Sequence, residues 1–252
     1  MYQTSTLENK KQVFVTPEGV VKWLGVVVFI LLLANITGIV LENIVQSEAR
    51  FTRILVRYFD FNGESNIPAF FSSIILLLSA AILFLIYKQR RHQGKTRYTR
   101  QWLLLGLLFV FLAVDENVQL HEHVAEFVRP QLGNDLSGFL HWAWVVPYAV
   151  LTVAVMFYFL RFVLHLPPFT RRLVFIAGAL FVTGALGLEL FEGYLYKRYG
   201  IDHLYNRILY CLEELMEMSG VVLFIYALLH YLAQRDTQVA LVPKENAALQ
   251  PK

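Results

Sequence analysis

Acidic residues and histidines follow directly on an uncharged run near the middle of the chain. Residues 101–114 carry no charge, and the nine that follow include Asp115, Glu116, Glu122 and His123. Carboxylate oxygens and imidazole nitrogens bind divalent metals, and carboxylates also donate and accept protons. Charge inside a bilayer is costly, so ionisable groups at the end of an apolar helix are candidates for function.

Two other apolar runs border on carboxylates in the same way. Glu189 and Glu192 follow the run 173–188, and three glutamates precede the run 218–229. Counted along each helix at about 1.5 Å per residue, from the end opposite the acids, these acids lie roughly 20–30 Å across the membrane. A fourth apolar run begins beside a histidine at the same level. The candidate metal ligands are Asp115, Glu116, Glu122, His123, His141, Glu189, Glu192, Glu213, Glu214 and Glu217.

Helical geometry predicts which of these side chains share a face. If 101–127 is one helix, then at about 100° per residue Asp115, Glu122 and His123 fall within one arc of roughly 120°. The same geometry turns His121 away from that arc and places Glu126 near the outer end, in water. We therefore expect the acidic stripes of three helices to face one another around a shared interior cavity.

The charge of this cluster must be balanced. Eight carboxylates at one level cannot all stay ionised side by side, so the cluster must hold either cations or protons. Many carboxylates with few histidines favour Fe or Mn over Zn. Helical bundles that hold two such ions use inward glutamates with Glu-x-x-His pairs. The pairs here are Glu-x-x-Glu, at Glu189 and Glu192 and at Glu214 and Glu217, so the comparison extends only to ligand type.

Composition indicates a membrane protein. The chain of 252 residues is 57% hydrophobic, and its mean hydropathy is +0.51. Average soluble domains are about 45–50% apolar. The single Cys211 excludes an intrachain disulfide. The formal net charge is only +3, and the basic residues are explained by membrane topology, so nothing indicates nucleic-acid binding.

The apolar runs predict an all-α bundle of six transmembrane helices. Each run either reaches the 20 or so residues that cross a bilayer or does so by continuing through the acids. The predicted helices span about 20–45, 67–88, 101–127, 139–165, 171–199 and 207–233. Small residues on the fifth helix predict close packing against a neighbour. These are Gly178, Gly184, Ala185 and Gly187.

The distribution of Lys and Arg predicts the orientation. Fifteen of the 22 basic residues lie on the side that holds both termini, including those of the loop "KQRRHQGKTRYTR". The positive-inside rule places that side in the cytoplasm, with the chain integral to the plasma (inner) membrane. Residues 1–235 are predicted to form one transmembrane domain, and 236–252 a polar, disordered cytoplasmic tail.

Three functions from different classes remain open at this stage. The first is a metal-dependent membrane enzyme, an oxidoreductase or hydrolase, that acts on a lipid or quinone from the outer leaflet of the membrane. The second is a proton-coupled transporter or proton relay that uses the same carboxylates. The third is a non-catalytic membrane subunit whose acidic surface binds a protein partner. The metal-dependent enzyme is favoured because a histidine shares the acidic face, whereas proton sharing needs none.

Overall fold

The computed structural model describes residues 16–63, 65–133, 136, 138–200 and 203–240, with side chains described as far as Gln234. Within these residues the chain is all-helical, without strands. The helices are α1 (Pro17–Ile39), α2 (Arg50–Phe59), α3 (Ile67–His92), α4 (Thr99–Val118), α5 (Leu120–Leu132), α6 (Val145–Leu164), α7 (Pro168–Val182), α8 (Glu189–Tyr199) and α9 (Leu204–Ala240). Further helical turns are the π-helical Val40–Ile44 and Thr183–Leu188 and the 3-10 turn Gly138–Leu140.

The six predicted spans are confirmed as helices, which indicates a multi-pass membrane protein. Each is long and apolar enough to cross a bilayer. They are Pro17–Ile44, Ile67–His92, Thr99–Val118, Val145–Leu164, Pro168–Tyr199 and Leu204–Gln234. The cytoplasmic position of the termini stays a prediction, because residues 1–15 and 241–252 lie outside the described part of the chain. The last helix runs to Ala240, five residues into the predicted tail.

Local sequence explains where several helices begin. Thr16 and Asn66 cap α1 and α3, and their side chains accept backbone hydrogen bonds from Gly19 (3.1 Å) and Ala69 (3.2 Å). Both helices, like α7, have proline in the first turn, where the missing N–H costs nothing. Sequence chemistry therefore fixes the start of three of the six spans.

Two predicted helices differ from the structure at the acidic end of the bundle. The helix predicted over 101–127 is interrupted at Gln119, which adopts the left-handed conformation (φ 57°, ψ 43°), so α4 ends and α5 begins there. The helix predicted to start at 139 starts at Val145, after the 3-10 turn. No Gly or Pro occurs within 107–129 to mark the first break.

The amphipathic helix α2 was not predicted. Its arginines Arg50, Arg53 and Arg57 lie on one side, and the exposed Phe51 and Tyr58 lie on another. A short helix with one basic and one apolar face suits the interface between bilayer and water. It connects the first two spans at the end of the bundle that carries the acids.

The last helix, α9, packs at the centre of the bundle. Met218 and Ile225 on α9 and Ile75 and Leu83 on α3 are fully buried. A Cβ added at Gly220 would lie 2.9 Å from the Ala177 carbonyl oxygen, so α9 and α7 approach closely there. In contrast, α6 exposes most of its apolar side chains, as expected of a helix that faces lipid. Any side chain that α9 directs inward therefore meets several helices.

Candidate metal centre

A cavity of about 700 Å³ lies among α4, α5, α6, α8 and α9. All eight predicted carboxylates line it, and Glu126 does so as well. The three acidic helices thus converge as the helical geometry predicts. Arg129 is the one Lys or Arg among the described lining residues, so basic side chains offset little of the acidic charge.

Three of these carboxylates form the tightest group. Among Glu189, Glu192 and Glu213, one potential ligand atom from each lies within 4.8 Å of the others. Glu192 is 1% exposed, and its Oε1 atom is buried without a hydrogen-bond partner among the described residues. A buried carboxylate oxygen without a donor is costly, so this arrangement requires a cation or protons.

The π-helical turn Thr183–Leu188 directs two of the three glutamates. It lies directly before α8, whose first residue is Glu189. A π turn takes in an extra residue, and this rotates the face of the helix that follows. Glu189 and Glu192 are i, i+3 neighbours, so they share the face that is turned toward α9. Such turns are frequent at functional sites.

Gly184 allows this turn to approach α9. A Cβ at Gly184 would lie 3.0 Å from both the Glu213 carbonyl oxygen and the Glu217 Cγ atom. The close packing expected from the sequence is therefore found at Gly184. Gly178, one of the other predicted packing residues, has no such neighbour within 4 Å.

We expect Gly184→Val to lower the melting temperature by about 3–8 °C, because overpacking a well-packed contact costs about 1–3 kcal/mol. Thermal unfolding of the purified protein in detergent measures this. Gly178→Val is the matched control, since a Cβ there meets no heavy atom within 4 Å. Equal melting temperatures for the two variants would contradict the role given to Gly184.

Asp115, His121 and Tyr148 form a second polar group in the same cavity. The Asp115 Oδ1 atom accepts hydrogen bonds from the Tyr148 hydroxyl (3.1 Å) and the His121 backbone N–H (2.9 Å). His121 Nδ1 lies 3.3 Å from Asp115 Oδ2. Trp144 also lines the cavity, with its ring 4.9 Å from that of His121, and it hydrogen-bonds Glu189. Asp115 therefore holds an imidazole beside the glutamate cluster.

The two histidines of α5 point in the opposite directions from those that a continuous helix predicts. His121, predicted to point away, lines the cavity, whereas His123 is exposed, with Nδ1 2.9 Å from the Gln119 carbonyl oxygen. The left-handed residue Gln119 redirects the chain, and this turns His121 inward. Sequence reasoning missed His121, Tyr148 and Trp144, and no Gly or Pro near residue 119 could have signalled the break.

His141 lies beside the cavity wall. Its ring stacks on Tyr196, with centroids 4.6 Å apart, and its Nδ1 atom is buried without a partner among the described residues. Arg129 donates a hydrogen bond to its backbone carbonyl (2.7 Å). Burial and the Arg129 charge lower the pKa of the imidazole, so His141 is neutral near pH 7. Its role as a metal ligand stays a prediction, as do those of the other nine candidates.

Comparison with known proteins gives one match. A family model described as a domain of unknown function (DUF8692) matches residues 21–232. No curated protein and no solved structure matches the chain.

Proposed function

The chain belongs to the DUF8692 family, whose description names no activity, and we therefore propose a function from the site itself: a metal-dependent membrane enzyme that acts on a lipid-soluble substrate. The observation that carries this proposal is the approach of Glu189, Glu192 and Glu213 to within 4.8 Å of one another. Oxygens that bind one ion at about 2.1 Å lie at most about 4.2 Å apart. Small side-chain rotations would therefore bring all three onto one ion.

The metal chemistry follows from the donors. Carboxylates with one nearby imidazole favour Fe or Mn over Zn. Glu189, Glu192 and Glu213 would hold a first ion, and Glu217, which lines the same cavity, would help to hold a second, as in dimetal carboxylate bundles. When bound, such ions polarise a substrate oxygen or activate water or oxygen.

Asp115, His121 and Tyr148 form a group that could transfer protons. With its proton on Nδ1, His121 donates to Asp115, and Nε2 becomes the basic nitrogen. The carboxylate fixes the orientation and the tautomer of the ring, as carboxylates do for catalytic and metal-bound histidines. Tyr148 holds Asp115 from the other side. This group can accept or deliver a proton at the cavity wall.

The cavity wall supports the proposal of a lipid-soluble substrate. Apolar side chains form part of the lining, and about 700 Å³ lies within the range of about 300–1,000 Å³ typical of small-molecule sites. A lipid or quinone that enters from the bilayer would fit this mixture of apolar wall and carboxylates. The apolar lining residues include Leu76, Leu112, Phe181, Val182 and Leu186.

A proton relay across the membrane has less support. A relay needs polar groups through both halves of the bundle, but several of the most deeply buried side chains in the described part of the basic half are apolar. Leu83, Ile86, Trp102, Ile225 and Leu228 are at most 1% exposed. The polar Ser79 there is occupied by a hydrogen bond to the Ile75 carbonyl oxygen. A non-catalytic subunit that binds a protein partner remains the third alternative.

Elemental analysis of the full chain, purified without chelators, tests the proposal. We expect one Fe or Mn ion per chain if Glu189, Glu192 and Glu213 alone bind metal, and two if the second ion is also held. Chelation should lower the melting temperature, and added Fe or Mn should restore it. A metal-free protein whose melting does not respond to Fe, Mn or Zn would contradict the enzyme and would favour protons as the balancing charge.

A further inference from the structure

A second cavity, of about 490 Å³, lies at the opposite end of the bundle. It is bounded by the end of α3, the start of α4, the turn between α6 and α7, and the end of α9. Arg90, Arg97 and His165 supply its basic groups. No carboxylate is present in the lining that the described residues form. The cavity is independent of the metal site and of the function proposed for it.

Arg90 is buried in this cavity, and no described carboxylate forms an ion pair with it. It is 9% exposed and lies in the last turn of α3. Two of its N–H groups donate to neutral oxygens, at the Tyr231 hydroxyl (3.2 Å) and the Arg97 carbonyl (2.5 Å). Its Nε is buried and has no hydrogen-bond partner among the described residues. The guanidinium therefore has N–H capacity that the described residues do not satisfy.

An arginine in this state requires an anion. Arginine stays protonated in proteins, so it cannot lose its charge on burial. A buried charge without a partner is strongly destabilising. The guanidinium fits phosphate especially well, because its parallel N–H groups bind two oxygens at once. Arg97 would add positive charge around the same anion, and the His165 ring lines the same cavity.

We propose that this cavity binds the phosphate of an anionic phospholipid headgroup. Its floor is aromatic, with the Trp102 ring 4.9 Å from the rings of both Phe162 and Tyr231. Apolar rings suit the glycerol and the first acyl carbons of a lipid, and they contribute little to a free phosphate ion. The cavity lies at the Lys- and Arg-rich end of the bundle, and basic pockets there bind anionic headgroups of the cytoplasmic leaflet.

Native mass spectrometry of the full chain in neutral detergent tests this proposal. We expect phosphatidylglycerol to bind at least tenfold more tightly than phosphatidylcholine. Arg90→Gln should reduce the affinity for phosphatidylglycerol at least tenfold. Arg97→Gln should also reduce this affinity, and because Arg97 is exposed, the substitution should leave the core of the bundle intact. Arg91→Gln is the matched control, because Arg91 is exposed, donates to the Tyr87 hydroxyl and lies outside the cavity lining.

Each outcome decides for or against the lipid. Loss of phosphatidylglycerol binding in Arg90→Gln and Arg97→Gln, with Arg91→Gln unchanged, supports the site. Equal loss in all three variants means a diffuse surface attraction and overturns it. Competition by millimolar inorganic phosphate would assign the cavity to the free ion instead.

Discussion

Glu213→Gln is expected to reduce the metal content of the purified protein at least tenfold and to abolish the rise in melting temperature on adding Fe or Mn. Glu213 is the member of the central group that α9 contributes, and its ligand atom lies within 4.8 Å of those of Glu189 and Glu192. A neutral amide is a poor ligand for these ions, and a tenfold loss of affinity corresponds to about 1.4 kcal/mol. Elemental analysis and thermal unfolding measure the two effects.

The same variant distinguishes metal from protons. Glutamine has nearly the shape of a protonated glutamate, so a cluster held by protons should tolerate Glu213→Gln with little change in melting temperature at neutral pH. A cluster held by metal should lose stability, because the ion that separates the remaining carboxylates is bound less tightly. Glu126→Gln is the matched control, since Glu126 is exposed at the cavity edge. Equal metal content in both variants would remove Glu213 from the proposed ligands.

Arg207→Leu is expected to destabilise the bundle by about 2–4 kcal/mol, or about 5–10 °C in melting temperature. The Arg207 side chain is 10% exposed and lies 2.8 Å from both Glu42 and Asp60. It therefore ties α9 to the π-helical turn after α1 and to the loop after α2. Removing it leaves the half-buried Asp60 and the exposed Glu42 without their shared partner. The estimate lies below the cost of breaking a fully buried pair because Glu42 is 41% exposed.

A double-mutant cycle tests this account of Arg207. Asp60→Asn in the Arg207→Leu background should recover part of the lost stability, because it removes one of the carboxylates that were left unpaired. Arg53→Leu is the control, since Arg53 is an exposed arginine on α2 at the same end of the bundle. Similar melting temperatures for Arg207→Leu and Arg53→Leu would show that the paired carboxylates do not stabilise the bundle.

The sequence alone determined the six spans and the level of the acids. A bilayer requires about 20 apolar residues per crossing and allows helix as the spanning state, so hydropathy is enough to locate the spans. The carboxylates at the ends of three apolar runs could meet only near one end of the bundle. Residue spacing alone therefore predicted that these carboxylates would line one cavity, and they do so.

Tertiary structure decided which side chains enter the site. Periodicity assumes a regular helix, and a single left-handed residue, Gln119, rotates everything after it, so His121 faces the cavity and His123 faces outward. The π turn before Glu189 packs closely against α9 at Gly184, and this contact joins residues about 30 positions apart in sequence. Helix propensity and hydropathy depend on neighbouring residues in the sequence, so they cannot predict contacts between distant residues. The sequence therefore located the acidic end of the bundle, and packing selected the residues that meet there.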